Sequence, residues 1–128
     1  YHVYPEHAAA GLWSTPTDLA RLALAVAASW RGDADGKLLS RPTARRMATP
    51  LNAGPTGLGI FVKPRGERPP WLYHRGVNAG FRSILVFAAD ASFGVALMTN
   101  GEGGRPLIPE FLAAAFEAFG QDAFRSAD

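Results

Sequence analysis

Apolar and polar positions change period along the chain, and each change marks an element. Leu19, Leu22, Ala23, Val26 and Trp30 recur at helical spacing, which predicts a helix to about Trp30 with one apolar face. Its start is well marked: Thr15 suits the N-cap, Pro16 the first helical position, and Asp18 completes a capping box. Gly32 predicts the stop, followed by a turn over residues 32–36. Ser40 and Pro42 predict a second, short helix to about Met47, and residues 50–56 read as a connection rich in turn formers. The pattern then becomes extended. Residues 57–62 read as a strand whose glycines allow close backbone approach, and residues 64–70 as a charged hairpin loop. An aromatic-rich strand beginning at Trp71 carries His74, with a small Gly-rich turn after His74-Arg75-Gly76. Residues 82–88 and 93–99 are near-continuous apolar runs, joined by Ala89-Asp90-Ala91-Ser92 into a hairpin. Last, Ile108, Phe111, Leu112, Ala115, Phe116 and Phe119 form a broad helical stripe that reads as core.

The order helix, short helix, strands, helix predicts an α+β fold, an antiparallel β-sheet of three to five strands packed against helices. Strands as apolar as Ile84–Phe87 and Val95–Met98 are expected to be buried on both faces and to sit inside a sheet. So narrow a sheet leaves at least one strand edge without its natural neighbour. We expect the edge at residues 95–99 to be covered by a partner chain, a swapped segment or rearranged helices. A homo-oligomer formed through that edge is one expected outcome.

Composition narrows the classes. The 128 residues fit one domain, and 48% hydrophobic against 19% charged residues describes a folded chain rather than a disordered one. A net charge of +2 is slight, and the groups Arg41, Arg45, Arg46 and Lys63, Arg65, Arg68 read as solvated faces, so no nucleic-acid partner is expected. There is no cysteine, which excludes disulfides and thiolate metal sites. No apolar run approaches the ~18 residues of a membrane span. His2 and His7 read as surface residues, because nothing near them stands at metal-ligand spacing. The carboxylates of residues 33 and 35 lack the length and distal Glu of a calcium loop, and Gly57 and Gly59 fit no phosphate-binding pattern. No metal and no cofactor is expected. The opening Tyr1-His2-Val3-Tyr4-Pro5 reads as part of something longer.

The polar interest of the chain lies in Tyr73-His74-Arg75-Gly76-Val77-Asn78-Ala79-Gly80-Phe81. On its own, His74 reads first as a residue hydrogen-bonded within a sheet corner. Ser14 reads as a capping residue, and Asn78, Arg82 and Asn100 as turn or strand-start residues.

Three segments together resemble the serine β-lactamase and penicillin-binding-protein-like hydrolases, which include class C β-lactamases, D-alanyl-D-alanine carboxypeptidases and esterases. Gly11-Leu12-Trp13-Ser14-Thr15-Pro16-Thr17-Asp18-Leu19-Ala20 is similar to a conserved helix start of that family. Residues 73–83 resemble its third motif, in which Lys-Thr-Gly is often replaced by His-x-Gly, and Val95-Ala96-Leu97-Met98-Thr99-Asn100 resembles the strand that follows. The resemblance spans roughly residues 1–120 in the family's order. It implies that residues 1–128 are one domain, the C-terminal portion of a larger fold whose N-terminal part bears the nucleophile. It further implies that His74, Gly76 and the backbone N–H of Val77 line the catalytic cleft, with Arg75 and Asn78 contacting substrate. Family members are commonly exported, which leaves the compartment open.

The departure from the family concerns the nucleophile. Ser14, Ser29, Ser40, Ser83, Ser92 and Ser126 have no Lys three residues on, and Tyr1, Tyr4 and Tyr73 no Asn two residues on. The expected function is therefore one wall of a serine-hydrolase site. Alone it is inactive, and it meets a small-molecule or peptide substrate only with the missing N-terminal part. The alternatives are a non-catalytic family member that binds peptides or another protein, and an unrelated α+β interaction module.

Overall fold

The computed structural model describes residue 5, residues 9–33 and residues 38–124. His2, His7, most of the turn after Gly32, and Ser126 lie outside the described residues.

Helix α1, Pro16–Arg31, begins where its cap predicts: the Asp18 N–H donates to the Thr15 hydroxyl at 3.1 Å. The Asp18 carboxylate does not reach back to the Thr15 backbone as in a full capping box. It instead accepts from the Thr15 hydroxyl and from Arg21, both at 3.0 Å. Gly32 closes the helix in the left-handed conformation, φ 88°. The buried stripe is Ala23, Val26, Ala27 and Ser29, so the expected Leu22 lies outside it. Ala27 takes the place in the packed face. Helix α2, Arg41–Met47, is capped by Ser40 as expected.

The expected strand at residues 57–62 starts later. Strand β1 is Phe61–Arg65, and the residues before it turn, closed by Gly57 N–H donating to the Ile60 carbonyl at 2.8 Å. Gly57 is buried, and a Cβ there would overlap the Met47 carbonyl oxygen, so close backbone approach does explain this glycine. The charged hairpin loop expected over residues 64–70 shrinks to Gly66-Glu67, because Pro64 lies inside β1 and Pro69 and Pro70 inside strand β2, Arg68–Asn78. β1 is an edge strand, and Val62, two residues before Pro64, turns its N–H away from β2 to the Pro55 carbonyl at 2.6 Å. Pro64 sits where the β1–β2 register shifts between Lys63 and Arg65 and has no partner residue in β2, so its missing N–H costs the ladder nothing. The Pro70 carbonyl is used, accepting the Ala89 N–H at 3.0 Å.

Strand β3, Phe81–Ala88, and strand β4, Gly94–Thr99, form the expected hairpin, with Ala91 in the left-handed region at its turn. Among the described residues the sheet is antiparallel, in the order β1-β2-β3-β4. One face packs on α1: Leu72, Phe87 and Ala89 join Ala23, Val26, Ala48, Ile60 and Val62. The other packs on helix α3, Gly104–Ala118: Trp71, Tyr73, Ile84, Val86 and Ala88 meet Leu112, Phe116 and Phe124. Rings dominate the second core, with Trp71–Phe116 centroids 5.1 Å apart and Phe93–Phe116 4.9 Å. Both faces of β3 are covered, which is why its sequence lacks alternation. This is an α+β fold.

Three further expectations need correction. Phe111 and Phe119 of the α3 stripe are exposed, because the helix meets the sheet along Ile108, Leu112 and Phe116. β4 is the outer strand rather than an interior one: its faces are covered by α1 and α3, while its outer edge has no strand neighbour among the described residues. The two basic groups are not uniformly solvated either, since the Arg45 guanidinium sits 3.5 Å from the Trp30 ring centre and that of Arg65 3.9 Å from Trp71.

Candidate functional site

β2 is longer than both of its partners can serve. β1 pairs with it from Arg65↔Arg68 to Phe61↔Tyr73 and stops there, whereas β3 pairs with it through to Asn78↔Phe81. His74 to Asn78 are therefore flanked by a strand on one side. The small turn expected directly after Gly76 comes two residues later, at Ala79-Gly80, with Gly80 at φ 75°.

Register and one hydrogen bond decide which backbone groups face the open side. The Ala89 N–H donates to the Pro70 carbonyl at 3.0 Å, so even-numbered residues of β2 exchange bonds with β3. In an antiparallel ladder the alternate residues point the other way. Val77 is one of these, opposite Arg82 in a pair that exchanges no ladder bonds. Its N–H faces the edge that β1 leaves uncovered. Its side chain is 70% exposed.

Side-chain direction follows from the same register. His74, Gly76 and Asn78 lie on the face of Leu72, opposite Leu85, Ser83 and Phe81; Arg75 and Val77 lie on the face of Tyr73. His74 is exposed, its ring 5.8 Å from that of Phe61 and inclined 26° to it. A Cβ on Gly76 would overlap the Ser83 hydroxyl, a local reason for glycine that sequence reading had missed. Trp13 and Phe81 meet edge-on, centroids 5.8 Å apart, with Trp13 67% exposed. The segment before α1 and the end of the β2–β3 hairpin thus come together, as two of the three segments singled out in the sequence.

The turn after Val77 is gripped from outside the hairpin. Glu102, in the loop between β4 and α3, accepts the Gly80 N–H at 2.7 Å through one carboxylate oxygen and pairs with Arg82 through the other. Arg82, 16% exposed, also donates to the carbonyls of Asn78 and Phe81. Arg82 reads in the sequence as a strand start without further duty, and Glu102, twenty residues away, gives no local signal at all.

Three of the serines are occupied elsewhere, while Ser83 stands opposite Gly76. Ser29 is buried, donating to the Ala25 carbonyl at 2.9 Å; Ser40 caps α2; Ser92 binds Asp90. No hydrogen bond joins His74 to a serine among the described residues. Nor do the described residues hold a group of three His, Asp or Glu fit for a metal ion, or a helix long and apolar enough to cross a membrane.

The sequence model of the family described as Beta-lactamase matches residues 1–118. This chain belongs to the β-lactamase family. The family is one of β-lactamase-like hydrolases, and its model covers both the helix start at Gly11 and the His74 strand. Among solved structures, this β-lactamase-family chain is similar to one titled "Crystal structure of SurE", with 28% identity and a TM-score of 0.71. That match takes in 89% of this chain and 27% of the other, so the chain spans about a quarter of that relative's length. No curated protein matches the chain.

Proposed function

We propose that this chain supplies one wall of an acyl-transfer site in which a serine nucleophile on polypeptide outside these 128 residues attacks an ester, amide or β-lactam carbonyl. The observation that carries the proposal is the half-open β2. Because β1 stops opposite Tyr73, the Val77 N–H is aimed at an edge where an extended substrate can lie. As the nucleophile oxygen bonds to the carbonyl carbon, the C=O electron pair moves to oxygen, and a fixed N–H there stabilises the charge by about 3–4 kcal/mol. Gly76 keeps the strand narrow beside it. His74 is exposed beside the same edge, where it serves as a hydrogen-bonding or proton-carrying group. Arg75 and Asn78, on opposite faces of the strand, contact the rest of the substrate.

The nucleophile-bearing polypeptide has a fitting seat. The outer edge of β4 carries the outward backbone groups of Gly94, Ala96 and Met98, and beside it a cavity of about 210 Å³ opens between α1 and β4, lined by Ala20, Ala23, Leu24 and Phe87 among others. A strand added there would satisfy the edge and bury Leu24, which is exposed. A second copy of the chain paired through the same edge is the competing occupant.

The test is hydrolysis of an activated ester and of a chromogenic cephalosporin, by this chain and by the chain extended with the polypeptide encoded upstream. Activity is expected in the extended form alone, falling about 100-fold with His74→Ala. Turnover by the 128 residues alone would overturn the proposal. Silence in both, with a peptide bound to the β2 edge, would assign the chain to a binding role instead.

A further inference from the structure

We propose that Arg82 and Glu102 are positioning residues, a clamp that holds the end of β2 so that the Val77 N–H keeps a fixed direction. The inference rests on the reading of β2 as the wall of an acyl-transfer site, and it concerns residues to which that reading gives no role.

A two-residue turn following a strand paired on one side is a poor place to hold a donor. Among the described residues no strand pairs with residues 74–78 on the β1 side, and the turn itself contains a glycine in the left-handed region. The clamp restrains the hairpin end from two directions. Glu102 takes the Gly80 N–H, a group that points out of the turn and has no ladder partner. Arg82 stands directly opposite Val77 without exchanging ladder bonds with it, and its guanidinium reaches the Asn78 carbonyl, one residue beyond. The carboxylate then joins the two, its oxygens divided between Gly80 and Arg82.

The far end of the clamp is also fixed. Thr99, the last residue of β4, donates its hydroxyl to the Arg82 carbonyl at 3.2 Å, and Gly104, at the start of α3, lies so close to Thr99 that a Cβ there would overlap the Thr99 hydroxyl. Glu102 stands between these two points in the chain. The hairpin end bearing Val77 is thereby tied to β4 and α3, the packed part of the molecule. A charge-assisted bond beside a backbone N–H bond to the same carboxylate suits such a role, since the two together fix direction as well as distance. Glu102 is 62% exposed, so its worth lies in ordering the turn more than in global stability.

Two readouts separate this proposal from the one it rests on. In the 128-residue chain, backbone order parameters of Val77 and Gly80 should lie near the ~0.85 of rigid backbone and fall below about 0.6 in Glu102→Ala. Exchange of the Gly80 amide should quicken at least ~10-fold, since the variant loses the acceptor that protects it. Glu102→Gln keeps an acceptor for Gly80 and should restore most of that protection. In the extended enzyme, Glu102→Ala should lower kcat about tenfold with KM changed less than about twofold, as expected when a transition-state contact is loosened. Unchanged order parameters and Gly80 exchange in Glu102→Ala would overturn the clamp, whatever the activity. An ordered turn that loosens as described, in an extended protein that hydrolyses nothing, would leave the clamp standing as an ordering device and remove its catalytic purpose.

Discussion

One strand behaves as two. From Trp71 to Tyr73, β2 has a neighbour on each side and a core on each face, and all three residues are buried. From His74 to Asn78 it has one strand neighbour among the described residues, and His74, Arg75 and Val77 are exposed. Both halves belong to one continuous strand; what changes is that β1 ends. The first half is held by area, with the rings of Trp71 and Tyr73 packed among Phe93, Phe116 and Phe124. The second is held by directed bonds, to β3 along one side and through Arg82 and Glu102 at its tip. Rigid burial thus stops one residue short of the polar groups, which are left presented and not packed away.

The comparison breaks most visibly on side-chain removal. Trp71→Ala should cost about 3–5 kcal/mol in urea unfolding, because a large ring is lost from a site with few ways to collapse. His74→Ala, three residues on, should stay within about 0.5 kcal/mol. Equal costs would mean that the second half is packed as well.

A sharper probe is proline, which reads where a backbone N–H points. Val77→Pro should cost only about 1 kcal/mol, since that N–H serves no ladder bond. Gly76→Pro removes an N–H directed at β3 and intrudes on Ser83, and should cost about 3 kcal/mol. In an active extended enzyme the ranking should invert, with Val77→Pro abolishing turnover. A milder change, Gly76→Ala, should cost about 1 kcal/mol through crowding against the Ser83 hydroxyl. Adding Ser83→Ala should return most of it, a coupling measurable by a double-mutant cycle.

Much of this arrangement could be read from the sequence, and what could not has physical reasons. Caps and breakers are local chemistry, so Thr15, Pro16, Gly32 and Ser40 located both early helices. Apolar runs located β3 and β4, and residues 73–83 located the strand that carries His74. Failures fell where non-local packing overrides local preference. Three prolines argued for a loop over residues 64–70, yet Pro64 sits at a break in the β1–β2 register and Pro69 and Pro70 at the start of β2. Helical spacing nominated Leu22, while the packed face rotated toward Ala27. β4 read as an interior strand because its faces are covered, and apolar content does not distinguish a covered face from a paired edge. Glu102 was beyond reach, since its partners are Gly80 and Arg82, about twenty residues away.

The smallest expected effect belongs to the buried half, where it meets the β3–β4 turn. Burial raises the pKa of the Asp90 carboxyl, but the Ser92 hydroxyl and N–H, at 2.7 and 3.1 Å, and the nearby Arg65 together outweigh it, leaving the group below its ordinary value. Arg65 in turn has its pKa lowered, first by burial and then by Arg68, with Asp90 opposing; it stays charged at any pH of interest. A carboxyl depressed in the folded state stabilises above its unfolded pKa, and that contribution is lost as pH falls through the folded one. Stability should therefore decline by on the order of a few tenths of a kcal/mol below about pH 4 on account of this group, given its partial exposure. Ser92→Ala should flatten that part of the profile. The residues that would respond are those at the Pro70–Ala89 bond, where the buried half begins, and amide exchange there should quicken while Gly80 is unaffected. If acid loosened the Gly80 turn through Asp90 as well, the two halves of β2 would be one cooperative unit, and the division drawn between them would fail.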